Sequence, residues 1–294
     1  MHVQLRTLII DAFQHLSPLP QRPYLVIIDG LDECHDKAIQ QSILRLLCET
    51  ITVHNLPLRF LIGSRPESHI RDSFDQESLY TVTRRVVLDE TFDPGRDIQV
   101  FLRDGFANIC AKNSILSHVE RPWPKEGIID LLVQRSSGQF IYAATVLKFV
   151  GADFCSPTKQ LALVLKPDHR AFSDLDQLYN QILSVYPRVV NIVRVLGIIS
   201  VSHWELAEVM EDIFGMEEGE LNLVLRGLSS LMKDDNCYWT YYFRVPHFAH
   251  ASFGDYLFDS SRSGPFHVNR QEYENQLTIR SFALIIQSIR YFHF

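Results

Sequence analysis

The sequence predicts an α/β fold for the first part of the chain and an almost entirely helical fold for the rest. Two apolar runs, at residues 24–28 and 59–63, have the length and composition of buried strands, and an amphipathic segment at residues 37–54 separates them. This order is typical of a βαβ unit in a parallel, doubly wound sheet. From residue 96 to about residue 233, apolar side chains recur at helical spacing, which indicates a change of fold class.

The first elements follow from periodicity and composition. Residues 3–16 place their apolar side chains on one face of a predicted helix. The run at residues 24–28 is apolar throughout, which predicts a strand buried on both faces of a sheet. The helix predicted at residues 37–54 has apolar side chains at three- and four-residue spacing, at Ile39, Ile43, Leu46, Leu47 and Ile51.

Two further elements are predicted after the second strand. Pro66 is expected at the first turn of a short helix, where a missing N–H is tolerated. Residues 81–88 are rich in valine and threonine, which predicts a third strand. Asp93-Pro94-Gly95 then separates the sheet-type sequence from the helical remainder, so we place a domain boundary at residue 93.

Composition and charge narrow the class of protein. The chain has 294 residues and a net charge of −7, which disfavours a broad nucleic-acid-binding surface. Its five cysteines are scattered without the spacing of a zinc site or a disulfide framework, so a reducing compartment is expected. The apolar run at residues 189–201 contains Asn191 and Arg194 and is too short to span a bilayer. We therefore expect a soluble, cytoplasmic protein.

Three acidic residues follow the first predicted strand, where parallel sheets bind their ligands. Asp29 is the first choice for holding Mg²⁺, through water, since this ion keeps much of its hydration. Asp32 and Glu33 are candidates for orienting or deprotonating an attacking water. These features are those of a Walker B strand in a nucleoside triphosphatase. The alternative is a turn whose acids cap the helix that begins near Asp36.

Arg65 and His250 are candidates for phosphate binding. Arg65 follows the second strand, so its guanidinium is expected at the same edge of the sheet as Asp29, within reach of a γ-phosphate. The alternative for Arg65 is a surface pair with Glu67 or Asp72. His250 opens a predicted helix at residues 250–258, where its imidazole could donate to a diphosphate. The alternative is a capping or core histidine, and His247 is a second candidate.

Residues 200–258 have the order of a winged-helix domain. Helices are predicted from Ser202 to Met210 and over residues 218–232. A strongly β-type run at residues 237–245 would form the wing, and the short helix that begins at His250 follows it.

The phosphate-binding sequence GxxxxGK[ST] does not occur in this chain. That loop supplies backbone amides and a lysine to the β- and γ-phosphates. Each such charge-assisted contact contributes about 1.5–3 kcal/mol. The chain alone is therefore expected to bind nucleotides poorly.

Together these segments resemble the NACHT class of STAND signalling NTPases, in the version abundant in fungi that carries a nephrocystin-like N-terminal NACHT domain. Residues 25–34 resemble the Walker B strand of that family, and residues 60–67 resemble its sensor 1 segment. Residues 136–144 occupy the place of its Gly-x-Pro element, with Phe140 where proline is usual. Residues 175–179 and 250–257 are similar to the start and the histidine segment of its winged-helix domain.

The resemblance implies a division into four parts and a nucleotide-dependent function. Residues 1–93 would be the later part of a NACHT domain, residues 94–170 a helical domain, residues 171–265 a winged-helix domain and residues 266–294 a further helical region. The expected fold is thus a partial P-loop NTPase sheet followed by helical and winged-helix domains, truncated before Walker B so that the P-loop is missing.

The implied function is that of an incomplete switch driven by ATP or GTP with Mg²⁺, without independent hydrolysis. The expected partners are other NACHT or STAND chains or effector proteins. The main alternative is a non-catalytic interaction module that pairs with full-length relatives. A winged-helix nucleic-acid binder is a third hypothesis, which the acidic net charge disfavours.

Overall fold

The computed structural model describes residues 7, 11, 13, 22–34, 36–54, 56–88, 92–152, 155–166, 173–185, 189–201, 207–233 and 247–291. The chain divides into two compact units, Met1–Leu88 and Asp89–Phe294. The first contains a small parallel sheet with helices, and the described part of the second is almost entirely helical. No described helix combines the length and the apolar character needed to cross a membrane.

The first unit contains the predicted strand–helix–strand arrangement. Strand β1 (Tyr24–Ile28) pairs in parallel with β2 (Leu58–Ile62), with Tyr24 opposite Leu58 and Ile28 opposite Ile62. Helix α1 (Lys37–Thr52) connects the strands, and the Asp36 carboxylate caps it by accepting from Ala38 N at 2.7 Å. Helices α2 (Ser68–Asp75) and α3 (Glu77–Tyr80) follow β2. The predicted helix at residues 3–16 lies outside the described residues except at residues 7, 11 and 13.

The core of this unit lies on one side of the sheet. Five of its described residues form one buried cluster, Leu31, Leu44, Cys48, Ile70 and Leu79, and Leu46, Leu47 and Leu58 are buried as well. On the other side of the strands, Leu25, Ile27 and Leu61 are 60%, 66% and 57% exposed. The prediction that the first strand is buried on both faces is therefore wrong. Composition predicted the strand, but α1 covers only one of its faces, and the alternation of a strand leaves the other side chains pointing away from that helix.

Two other local predictions are corrected by the structure. Residues 83–88 form no strand, and Val86, Val87 and Leu88 are largely exposed. A strand is stabilised by hydrogen bonds to a neighbouring strand, and among the described residues the sheet contains β1 and β2 alone. The helix expected to begin near Pro66 instead begins at Ser68, after an extended Glu67. Hydrogen bonds from Ser64 and Arg65 to Asp32 hold the segment before it outside a helix.

The helices of the second unit pack around one continuous core. Their bounds are α4 (Pro94–Lys112), α5 (Glu126–Ser136), α6 (Phe140–Val150), α7 (Pro157–Val164), α8 (Asp174–Ser184), α9 (Val189–Val201), α10 (Ala207–Phe214), α11 (Glu220–Gly227), α12 (Ala251–Phe258), α13 (Ser260–Ser263) and α14 (Arg270–Tyr291). Short 3-10 turns occur at Ser114–His118, Ser229–Leu231 and Gly264–Phe266. The buried core runs through these helices from Ile98 to Val268.

The region predicted as a winged helix is described in part. The first predicted helix continues to Phe214, whereas its expected start at Ser202 lies outside the described residues. The second predicted helix ends earlier than expected, at Gly227, because glycine disfavours helix continuation and a 3-10 turn follows. The predicted β run at residues 237–245 also lies outside the described residues.

Candidate functional site

The loops that follow β1 and β2 meet at the carboxyl edge of the sheet. Gly63 N donates to Ile28 O at 2.8 Å, and Leu31 N donates to Gly63 O at 3.1 Å. These bonds place Asp29, directly after β1, beside Gly63, directly after β2. The sequence predicted this proximity, because parallel strands end at the same edge of a sheet.

The Asp29 carboxylate lies directly over Gly63. A Cβ atom at position 63 would come within 2.7 Å of Asp29 Oδ1, closer than van der Waals contact allows. Glycine at position 63 therefore gives the carboxylate the space it occupies. Sequence analysis did not assign this role to Gly63, although a glycine that directly follows a strand at a ligand-binding edge is a signal for such a close approach.

The backbone conformation at position 30 explains why glycine occupies it. Its φ of 67° lies in the left-handed region, and it begins the 3-10 turn Leu31–Glu33. The turn buries Leu31, which is 1% exposed, in the core of the first unit. Glu33 remains exposed, and its carboxyl group lies near the place that a Cβ atom on Gly30 would occupy, at 3.1 Å. The turn thus directs Asp32 toward the protein and Glu33 toward solvent.

Asp32 binds the loop after β2. Its Oδ1 accepts from Arg65 N at 2.9 Å and from Ser64 Oγ at 3.2 Å, while its Oδ2 lies 3.5 Å from Arg65 Nε. The Asp32 side chain is only 7% exposed, so the neighbouring donors and the guanidinium compensate its charge. In this arrangement Asp32 positions Arg65. Its predicted role in orienting water stays a prediction.

Arg65 lies at the same edge of the sheet as the acidic residues. Its side chain is 43% exposed, and its guanidinium forms an ion pair with Asp32. Of the two partners weighed as alternatives, Glu67 instead lies 3.5 Å from His69 Nδ1. The structure thus brings the arginine and the acidic cluster together, as their positions after neighbouring strands predicted.

The residues at this edge can supply only part of the coordination shell of a magnesium ion. Among the described residues no cluster of three or more His, Cys, Asp and Glu side chains has the arrangement of a metal site. Mg²⁺ bound to nucleotides, however, typically uses one or two carboxylates together with water and phosphate oxygens. The exposed carboxylate of Asp29 suits that role, with the remaining ligands coming from solvent and substrate.

His250 lies in the second unit and caps α12. Its Nδ1 accepts from Ser252 N at 3.1 Å and lies 2.7 Å from Ser252 Oγ. Ser252 Oγ is in turn 2.9 Å from the hydroxyl of Tyr179, which ties the start of α12 to α8. This geometry matches the capping alternative for His250. The neutral imidazole that accepts at Nδ1 carries its proton at Nε2, and the exposed residue can donate from that atom.

A comparison with protein families finds similarity over the first part of the chain. The family model described as nephrocystin 3, N-terminal, matches residues 2–65. The matched segment contains β1, α1 and β2, and it ends at Arg65. No curated protein and no solved structure matches the chain significantly.

Proposed function

We propose that this chain is part of a nucleotide-dependent signalling switch of the NACHT type. The observation that carries the proposal is that Asp29 lies beside Gly63 and that Asp32 contacts Arg65, at one edge of a parallel βαβ unit. The match to the nephrocystin 3 N-terminal family covers the same unit and supports it. Arg65 would bind a terminal phosphate, and Asp32 would keep its guanidinium in place. When bound, Mg²⁺ would compensate phosphate charge, and Asp29 would hold its hydration shell.

Binding by this chain is expected to be weak. Since the sequence lacks GxxxxGK[ST], the backbone amides and lysine of a phosphate-binding loop must come from other residues or another chain. Asp29 and Arg65 alone give two charged contacts, whose summed contribution is about 3–6 kcal/mol. The cost of immobilising a ligand is of similar size, so dissociation constants in the millimolar range or above are expected.

Nuclear magnetic resonance titration of the purified chain with Mg²⁺-ATP and Mg²⁺-GTP tests the proposal. We expect small shifts of the backbone amides at residues 29–33 and 63–65 at millimolar nucleotide, and their loss in Asp29→Asn. Asp72→Asn is the control, because Asp72 is an exposed acid of the same unit that belongs to α2 and not to the two strand-end loops. Shifts that persist in Asp29→Asn would contradict the proposal. Micromolar affinity would contradict the expectation of weak binding.

We infer further that residues 200–258 have the winged-helix arrangement, within the domain predicted at residues 171–265. Helices α10 and α11 precede an antiparallel bridge between Met232 and Phe248, and α12 follows it. Lys233 N donates to His247 O and Ala249 N donates to Leu231 O, both at 2.9 Å. Antiparallel pairing at these two positions is what the base of a β-hairpin wing requires.

A second candidate function is a non-catalytic module that pairs with a complete NACHT chain. The exposed sheet face formed by Leu25, Ile27 and Leu61 favours it, because adjacent apolar side chains of this size usually contact protein. Ile27 and Leu61 lie opposite each other in the register of β1 and β2, so the patch is continuous across the sheet.

Binding between the purified chain and a purified relative that carries GxxxxGK[ST] tests this second function. We expect Ile27→Lys and Leu61→Lys to weaken the complex at least about tenfold, by roughly 1.4 kcal/mol. Leu223→Lys is the matched control, since Leu223 is 71% exposed on α11 in the other unit. Equal loss of binding in all three variants would contradict a role for the sheet face.

A further inference from the structure

An exposed apolar patch lies in the second unit, on α4 and the first residue of α6. This aromatic patch consists of Val100, Phe101 and Phe140, whose side chains are 50%, 39% and 45% exposed. The rings of Phe101 and Phe140 pack edge to face, with 5.8 Å between their centroids. Single exposed apolar residues are ordinary, but large apolar side chains that adjoin one another on the surface are typical of a protein-binding site.

The fold of the second unit does not account for the aromatic patch. The core-facing side of α4 is already occupied by Ile98, Leu102 and Phe106, which are fully or almost fully buried. The next turn of α6 likewise buries Tyr142 in the same core. The aromatic patch therefore lies outside the packing that holds these helices together, and its apolar area is available to another molecule.

Two carboxylates flank the aromatic patch along α4. Asp97 is four positions before Phe101 and Asp104 is three positions after it, so both lie on the same side of the helix as this ring. Both aspartates are exposed, and within the described part of the chain neither forms an ion pair. The rise of an α-helix places them about 10 Å apart along its axis. The patch thus has an apolar centre with a negative charge on each side.

The cations of α4 do not neutralise these carboxylates. Arg103 binds Glu126, with 2.6 Å between Nη2 and Oε1. Arg103 and Arg96 are two and five positions from Phe101, spacings that place them on other sides of the helix. The charge that faces an occupant of the aromatic patch is therefore negative.

We propose that the aromatic patch binds an amphipathic α-helix of a partner protein that carries two basic side chains seven positions apart. Since seven positions again span about 10 Å, these cations match Asp97 and Asp104 when the helix lies along α4. An apolar side chain midway between them packs on Phe101 and Phe140. The two carboxylates repel nucleic acids and anionic lipid surfaces, so charge complementarity favours a basic peptide segment. This surface belongs to the second unit and does not depend on nucleotide binding at Asp29.

Fluorescence anisotropy of the full chain with a labelled, alanine-based helical peptide tests the proposal. The peptide has about 16 residues, enough for a helix to form, with two arginines seven positions apart and leucines at the third and fourth positions between them. We expect this peptide to bind, and the Asp97→Lys, Asp104→Lys variant to weaken binding at least about tenfold. The Asp212→Lys, Glu218→Lys variant is the matched control, because it changes the net charge equally at exposed positions elsewhere in the second unit.

A second peptide, with glutamates in place of the arginines, provides the reciprocal measurement. It should bind the Asp97→Lys, Asp104→Lys variant more tightly than it binds the unchanged protein. Phe140→Ala should weaken binding of the arginine peptide severalfold while the helical circular dichroism stays the same. If Asp97→Lys destabilises the first turn of α4, Asp104→Lys alone should still weaken binding severalfold.

Three results would overturn the proposal. One is no binding of the arginine peptide at millimolar concentration, and another is equal affinity of the two peptides for the unchanged protein. The third is a dimer of the chain, detected by light scattering and abolished by Phe140→Ala, since the occupant of the aromatic patch would then be a second copy.

Discussion

At the residue scale, the contacts of individual carboxylates define the structure of the loops that follow β1 and β2. The sequence places Asp29, Asp32 and Glu33 within five positions, yet the structure gives their carboxylates three different surroundings. Asp29 lies over Gly63, Asp32 accepts from the Ser64–Arg65 loop, and Glu33 is exposed. The left-handed φ of Gly30 causes this divergence, because it turns the chain into a short 3-10 helix directly after β1.

His250 gives a test at this scale that separates its capping role from phosphate binding. Because its Nδ1 accepts from Ser252 N, His250→Ala should lower the free energy of unfolding by about 0.5–2 kcal/mol. His250→Asn should recover most of that loss, since asparagine is a strong helix N-cap. Urea unfolding followed by circular dichroism measures both variants.

One result of comparing the two His250 variants would contradict the capping role. If His250→Asn is as unstable as His250→Ala, the cap does not account for the contribution of this residue. A diphosphate contact, if present, would be lost in both variants, because asparagine does not reproduce the donor at Nε2.

At the element scale, a buried ion pair joins α8 to α13. Arg262 Nη2 donates to Asp176 Oδ1 at 2.7 Å, and Arg262 Nε donates to Asp176 Oδ2 at 3.1 Å. Asp176 is 1% exposed, so its charge depends on this bidentate contact. The hydrogen bond to Asp176 is also the main cause of the raised pKa of Arg262.

We expect Arg262→Ala to destabilise the second unit by about 3–5 kcal/mol, because it leaves a buried carboxylate uncompensated. The double variant Asp176→Asn, Arg262→Met should be clearly more stable than Arg262→Ala, since it removes the buried charge as well. Urea unfolding of the second unit measures both variants. A loss below about 1 kcal/mol in Arg262→Ala would show that solvent reaches the carboxylate.

Buried tyrosines on α6, α8 and α12 are expected to make the free energy of unfolding fall at alkaline pH. Burial raises the pKa values of Tyr142 and Tyr179 to about 12, and it also raises the pKa of Tyr256. A raised pKa in the folded state means that stability is complete below the unfolded pKa, about 10, and falls as pH rises toward 12. Each tyrosine contributes a slope of up to about 1.4 kcal/mol per pH unit in that interval.

Urea unfolding between pH 9 and pH 11.5 checks this prediction. Tyr179→Phe should lower stability at pH 9, by about 0.5–1.5 kcal/mol, since it loses the hydrogen bond to Ser252. Its stability should then fall less steeply with pH than that of the unchanged protein. Tyr80→Phe is the control, because Tyr80 is 66% exposed. Equal slopes for the unchanged protein and Tyr179→Phe would contradict the assignment.

At the scale of the whole molecule, the two units differ in the size of their cores. Among the described residues, the first unit buries eight apolar side chains, whereas the second has a continuous core that extends over most of its described helices. Buried apolar area is the main source of folding free energy, so the first unit is expected to be the less stable one. The apolar side chains on β1 and β2 that remain exposed add little to its stability, because folding does not remove them from water.

Hydrogen exchange under increasing urea tests this difference. We expect the amides of β1, α1 and β2 to lose protection at a lower urea concentration than those of α6, α8 and α9. Two separate transitions should also appear in equilibrium unfolding. Loss of protection in all these elements at one urea concentration would show that the units unfold together.

The sequence by itself determined the positions of several local elements of this protein. Apolar runs located β1 and β2, helical periodicity located α1, and the position of His250 before an apolar segment indicated the start of α12. These signals are local, because a strand, a helix or a cap depends on residues within a few positions of one another. The contact of the acidic loop after β1 with Arg65 after β2 followed from a topological rule for parallel strands rather than from any one residue alone.

Only the tertiary structure decided which surfaces are covered and which polar groups meet. An apolar strand is the same in sequence whether one face or two are buried, so the exposure of Leu25 and Ile27 depended on what packs against the sheet. Asp32 and Arg65 are 33 positions apart in the sequence, and Asp176 and Arg262 are 86 positions apart. Their contacts arise from the packing of whole elements, and no spacing in the sequence records them.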